Sequence, residues 1–515
     1  MASGFVIRKN QYYDSVFLMS VNARMLKVKG VRQTAVLMGS QANKQLLREI
    51  GIQGAEIDAA QPNDLIVAAT ADSMEIVDQV LGNLDGWLNA LQEDTPASQL
   101  HTLEDGLARE KAANLAVISI PGEYAAHEAR KAIEAGLNVF IFSGNVSAEE
   151  ELELKLLAKQ NGLLVMGPDC GTSLLNGMGI GFANVVRKGS IGAIGAAGTG
   201  LQEFTSQVHN LGFGISHAIG TGSHDLSDKI GGLTAFSALE ALQKDSKTRV
   251  VTFISKPPGT KTLEHLLERI GSCDKPVIGC FLGVDPEAIS GRKNLIPANT
   301  IDDAVRLAIN TTGSAMQQKS DLSQDDLKIL AAERAAWSSE QKYLRGILAG
   351  GTFCYQSQQI LRKAGIPVYS NSPLDPKYKL AHPDKSAQHT IVDMGDEFYM
   401  VGKPHPMIDG TMRRQRITAE SHDPQVAILY LDFILGYNAS MDPVGELIEA
   451  VDEAKQVYKH RGGSLTVIAS ICGTEGDPQD LAFQTKMLRE AGALVYGSNA
   501  RAIAACGWLL GKGKS

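Results

Sequence analysis

Two short stretches carry the residue types needed to hold an anion. Residues 195–204 read GAAGTGLQEF and residues 349–358 read AGGTFCYQSQ; each follows an apolar run and opens a helix-like segment. A strand that ends in Gly or Ala and turns into a helix at Gly-Thr leaves backbone N–H groups unpaired at the helix start, with no bulky side chain over them. The helix dipole adds to their pull on negative charge. Gly198, Thr199, Gly351 and Thr352 are therefore candidate phosphate-binding residues, the threonines either capping the helices or giving a hydroxyl to the anion. Ordinary capped turns are the alternative for either stretch alone; two of them in paired segments favour the anion site. A dinucleotide site fits poorly. GAIGAAGTG spaces its glycines G-x-x-G-x-x-G, no acidic residue ends the next strand, and no Walker-type lysine follows.

Histidines are the next candidates. His405 lies in VGKPHPMIDGTMRRQR (401–416), where Lys403, Arg413 and Arg414 would favour an anion; a plain surface loop is the alternative. His217 and His224 flank HAIGTGSHD after a strand, while His127, His209 and His265 sit on helical stretches and are expected to do no chemistry. The six cysteines are scattered without a CxxC pair, which predicts reduced thiols and no metal centre.

The elements that position these residues follow from periodicity. Residues 1–98 mix short apolar runs (FVIRK, QTAVLMG, DLIVAAT) with helical spacing and predict a small ferredoxin-like α+β domain, followed by a polar linker at 92–106. From 107 to 186 the order is regular βαβα, as in a Rossmann-like parallel sheet. Further α/β units are expected at 187–312 and 344–515, separated by a polar helical linker at 313–343. These last two align with each other at a shift of 153 residues, which lays Ile194 on Ile347, Gly198-Thr199 on Gly351-Thr352 and Gly212 on Gly365. Duplication is the favoured explanation; chance, or a shared fold without duplication, would also produce so short a match.

At 515 residues the chain needs several cores. A net charge of −8 argues against nucleic acid or an anionic membrane as main partner. The N-terminal stretch lacks a signal-like apolar segment and no run approaches a membrane span, so a cytoplasmic location is expected.

The order of motifs is also recognisable. NGLLVMGPDCGTSLLNGMGIGF (161–182) followed by GSIGAIGAAGTGLQEF resembles the α-subunit of succinyl-CoA synthetase. LAGGTF, IVDMGDEF and VAILYLDFILGY resemble the carboxyl-terminal domain of its β-subunit. With GKPHPMID, the whole chain is similar to the FdrA family of acyl-CoA synthetase-like proteins. The resemblance implies a Rossmann-like CoA-binding-type domain followed by two flavodoxin-like ligase domains, the two Gly-Thr helix starts forming halves of one phosphate site. It places Cys170, beside Asp169, near that phosphate, and puts CoA-binding strand ends at Ile120-Pro121 and Ser143-Gly144-Asn145. It also implies CoA as cofactor and an acyl or carbamoyl phosphate as small-molecule substrate.

The departures matter equally. The segment FLGVDPEAISGRKNLIPANTIDDAV (281–305) holds no histidine where the family carries its phosphohistidine. Lys256, in ISKPPG, stands where the family has the acid that orients that histidine; a lysine suits an anion instead. The expected domains leave no room for an ATP-grasp domain, so a partner subunit is expected to supply any nucleotide site, and a homo-oligomer is compatible with the sequence. His405, Lys256 and Cys170 are the candidate catalytic residues. An acid–thiol ligase-like enzyme is favoured, against two alternatives: a carbamoyl or acyl transferase in purine-derived nitrogen catabolism working without CoA, and a non-catalytic scaffold or ligand sensor that lost the relay.

Overall fold

The computed structural model describes residues 2–13, 15–49, 51–89, 100, 102–315, 322–400 and 403–511. Most of the expected 92–106 linker and the middle of the 313–343 linker lie outside them; their flanks include helices at Leu103–Arg109 and Gln324–Ala335. The chain divides into a smaller unit built on Met1–Arg109 and a larger one on Glu110–Met400 and Pro404–Ser515.

In the smaller unit, β1 (Ala2–Arg8), β2 (Val31–Met38) and β3 (Leu65–Ala71) form an antiparallel sheet in the order β1-β3-β2. The central strand LIVAATA is apolar at almost every position because both faces are covered. Leu65, Val67 and Ala69 pack with Leu18, Val21 and Val77, while Ile66 and Ala68 pack with Leu47 and Ile57.

The larger unit opens with a parallel sheet of β4 (Leu115–Ile118), β5 (Asn138–Ile141) and β6 (Val165–Met166). The hairpin of β7 (Thr172–Leu175) and β8 (Met178–Gly181) joins the next sheet, which also holds β9 (Lys188–Ala196), β10 (Ile215–Gly220), β11 (Val250–Ser255), β12 (Val277–Phe281) and β13 (Leu295–Pro297). A third sheet holds β14 (Tyr343–Leu348), β15 (Thr390–Asp393), β16 (Val426–Ile434), β17 (Thr466–Cys472) and β18 (Leu494–Tyr496), all parallel.

The two larger sheets share one topology. Their parallel parts run β10-β9-β11-β12-β13 and β15-β14-β16-β17-β18, so each first strand lies between its second and third. That is the flavodoxin-like order, whose ligand crevice lies at the carboxyl end of the first strand, where strand order reverses. All nine residues of β16 are buried, as expected for a strand covered on both faces.

The two sheets are tied by polar bonds that repeat at the same 153-residue shift. Glu203, on the helix Gly198–Asn210, accepts from the N–H of Asn499 at 2.6 Å, at the start of the helix Asn499–Leu510. Gln356, on the helix Gly351–Lys363, accepts from the N–H of Ile301 at 2.8 Å, at the start of the helix Ile301–Thr311. Each Gly-Thr helix thus caps the last helix of the opposite sheet. Farther along, Asn210 donates to the Gly473 carbonyl and Lys363 to the Asn299 side chain. These reciprocal contacts orient the two helices about a common point. Among the described residues, no helix is long and apolar enough to cross a membrane.

Candidate functional site

That common point is where the two helices begin. A methyl group on Gly350 would lie 3.0 Å from Thr199 Oγ1, and one on Gly200 would lie 2.8 Å from Thr352 Cγ2. A Cβ at either position would crowd the other helix, so each start packs a glycine against the threonine of the other. The first intrahelical bonds are Leu201 N–H to Ala197 O and Cys354 N–H to Gly350 O. The N–H groups of Gly198, Thr199 and Gly200, and of Gly351, Thr352 and Phe353, precede them and receive no side-chain cap. Thr199 and Thr352 were expected either to cap the helices or to give a hydroxyl to the anion. They stand two positions too late to cap, in the second residue of each helix, with Ala197 and Gly350 at the cap position.

Charged groups gather around the Gly351 helix. Asp432, near the end of β16 and fully buried, accepts from the N–H groups of Ala349 and Gly350, both at 2.8 Å. Arg413 holds that carboxylate at 2.9 Å and also donates to the carbonyls of Ile347 and Asp432. The sequence assigned Arg413 to attracting a ligand; it is instead buried and committed to Asp432, since a helix in the 401–416 stretch, Thr411–Glu420, turns it into the core. Asp393 closes β15. A methyl group on Gly351 would lie 2.5 Å from its Oδ2 and 3.3 Å from Lys256 Nζ, so carboxyl and ammonium flank the helix start. Burial raises the Asp393 carboxyl to about 6, against the opposing pull of Lys256 and the N–H of Gly395.

His405 joins the group from the third side. Its Nδ1 accepts from the N–H of Met407 at 3.2 Å, which leaves the proton of the neutral ring on Nε2. Nε2 lies 2.9 Å from where a methyl on Gly395 would be, a point only 3.3 Å from Asp393 Oδ1. Far from a surface loop, the ring packs on Phe182, and burial lowers its pKa to about 4, so it is neutral at physiological pH. Lys256 and His405 come from different sheets, and the fold brings both to one helix start. Asp393 and Asp432 escaped notice in the sequence; the signal available was a lone aspartate inside an otherwise apolar strand, TIVD and VAILYLDFI.

Cys170 does not share this group. It is buried against Gly220 and Ser173, and burial pushes its thiol up to about 12, out of a nucleophile's range. His217 and His224 lie apart, near Asp245 and Glu151. The strand ends Ile120-Pro121 and Ser143-Gly144-Asn145 do meet: Ser143 Oγ donates to the Ile120 carbonyl, and a methyl on Gly122 would press within 2.2 Å of the Gly144 carbonyl. The helix Gly122–Glu134 starts there uncapped, at the carboxyl end of a parallel sheet, which suits a nucleotide-bearing ligand such as CoA. These turns contribute backbone N–H groups and no Lys or Arg. Among the described residues no group of three or more His, Cys, Asp or Glu could hold a metal ion.

Residues 347–509 match the family model described as CoA-ligase, and residues 186–270 match the CoA binding domain model, downstream of the turns just described. Residues 1–103 match the model of an AllF, heavy metal-associated domain. The chain is 27% identical over 180 residues to subunit alpha 2 of an ADP-forming succinate–CoA ligase of Archaeoglobus fulgidus, covering 34% of this chain and 61% of that subunit. For the alpha subunit of Aquifex aeolicus the figures are 26% over 182 residues, 34% and 58%. The chain thus spans about three fifths of these subunits' length. Among solved structures, a dinucleotide forming acetyl-coenzyme A synthetase 1 of Ca. Korarchaeum cryptofilum covers 77% of this chain and 82% of its own at 18% identity, with a TM-score of 0.29, too low for any inference. The uncharacterized protein YahF of Escherichia coli is 39% identical over 500 residues, 97% of each chain, and this protein belongs to the same family as YahF.

Proposed function

We propose that this protein is an acyl-CoA synthetase-like protein of the FdrA type that binds the phosphoryl group of an acyl or carbamoyl phosphate at its two converging helix starts. The observation that carries this reading is the meeting of the Gly198 and Gly351 helices, with Lys256, Asp393 and neutral His405 around the contact. Unpaired N–H groups and an ammonium stabilise charge on the oxygens of a departing phosphate when a nucleophile attacks the acyl carbon. Asp393, poised near neutrality, exchanges a proton with the incoming or leaving group, and His405 donates from Nε2. CoA is the proposed cofactor, at the turns of Ile120–Pro121 and Ser143–Asn145. A partner subunit supplies the nucleotide site, and 281–305 has no histidine to relay phosphate.

Ligand-dependent thermal stabilisation tests this reading. A ligand at 100 times its Kd stabilises by about 2.7 kcal/mol. Inorganic phosphate and carbamoyl phosphate should raise the melting temperature of the full chain, and a Thr199→Val, Thr352→Val double variant should lose most of that shift. Equal stabilisation of the double variant would overturn the two-helix site.

A further inference from the structure

The two helix starts are not equivalent. At the Gly351 helix the preceding N–H groups are already taken by Asp432, and Asp393 stands beside the first residue, so a second anion meets carboxyl groups there. At the Gly198 helix the nearest neighbours of Gly198 and Gly200 are Thr172, Gly171, Ile254 and Thr352, with no carboxylate among them. One of these neighbours is polar and unsatisfied. Thr172 is 4% exposed, and its Oγ1 is buried without a hydrogen-bond partner. It points at the helix start: a methyl on Gly198 would lie 3.2 Å from it. A buried hydroxyl without a partner costs free energy unless a ligand completes it.

We infer that Thr172 is an anion-binding residue, its hydroxyl donating to a tetrahedral oxyanion held by the N–H groups of Gly198, Thr199 and Gly200. This rests on the phosphate reading above and refines it, because it assigns the phosphoryl group to the Gly198 side and leaves Asp393 and His405 to the transferred group. The ligand class is a phosphate or the phosphoryl end of an acyl phosphate. No carboxylate is among the nearest neighbours of Gly198 and Gly200, which favours an anion on this side. The hydroxyl comes from β7, at the first residue after the GPDCG turn, so the hairpin that borders the seven-stranded sheet is what aims it.

The test titrates the full chain and two variants, Thr172→Val and Thr172→Ser, with inorganic phosphate by calorimetry, alongside melting curves without phosphate. Valine has the shape of threonine without the hydroxyl. Since that hydroxyl has no protein partner, Thr172→Val should melt at the same temperature as the parent or higher. Its phosphate affinity should fall about tenfold, the loss of one hydrogen bond to a charged group, while Thr172→Ser stays within about threefold. Parent-like affinity in Thr172→Val would overturn the assignment while leaving the two-helix site intact. A melting temperature several degrees lower without phosphate would overturn it too, by showing the hydroxyl to be structural. No phosphate binding by the parent chain would overturn the two-helix reading itself, and this inference with it.

Discussion

Replacing Asp393 with asparagine should reveal its unusual titration directly. In the folded chain its carboxyl titrates near 6 instead of 3.8, chiefly because it is buried. A raised carboxyl pKa means that the folded state holds the proton more tightly than the unfolded state. Stability is therefore highest below the unfolded value and falls as pH rises from about 4 to about 6, then levels off. At 1.36 kcal/mol per pKa unit, the loss is about 3 kcal/mol. Asparagine keeps an oxygen to accept from the N–H of Gly395 and cannot ionise, so Asp393→Asn removes the fall without removing the bond. The assay is denaturant or thermal unfolding of both proteins from pH 4 to 8. Their difference should grow in favour of the variant between pH 4 and 6 and stay constant above. Adding Lys256→Met to the parent should extend the fall to higher pH, because the nearby ammonium lowers this carboxyl. A difference that is flat across the range, or grows in favour of the parent, would refute the placement of Asp393 as a buried, near-neutral acid beside Lys256.

Other expectations follow from the same contacts. Glu203→Leu leaves the buried N–H of Asn499 unpaired and should cost about 1–3 kcal/mol in unfolding measurements, while Glu203→Gln keeps the acceptor. Because burial holds the Glu203 carboxyl well above its ordinary range, Glu203→Gln should gain on the parent as pH rises toward that value. Arg413→Met strands the carboxylate of Asp432 in the core and should destabilise by about 3–5 kcal/mol, read as a lower midpoint in denaturant. Of the six cysteines only Cys273 is partly exposed, so brief alkylation at neutral pH should label Cys273 ahead of Cys170 in peptide mass spectra.

Much of the architecture was legible because buried parallel strands and their helices write long periodic patterns. The equivalence of the two halves could be read from Gly198-Thr199 and Gly351-Thr352 at one shift, and the structure extends it to Glu203 and Gln356, whose reciprocal caps no local pattern announces. Lys256 and His405 were picked from separate segments, and tertiary packing alone makes them neighbours of Gly351 and Gly395. Composition misled at 401–416: a stretch rich in Gly, Pro and charge looks exposed, yet Arg413 is buried because Asp432 waits for it on β16. Asp393, Asp432 and Thr172 were missed for one reason. Their significance lies in what does or does not pair with them across tens to hundreds of residues, which neither periodicity nor spacing encodes.

The most direct test of the converging helix starts is to locate the anion. Crystals of the full chain soaked in selenate, a tetrahedral stand-in for phosphate, would give an anomalous peak marking its position. The account predicts a peak within hydrogen-bond reach of the N–H groups of Gly198, Thr199 and Gly200, beside Thr172 and facing the Gly351 helix. A well-ordered crystal with selenate bound elsewhere and none at this junction would contradict it.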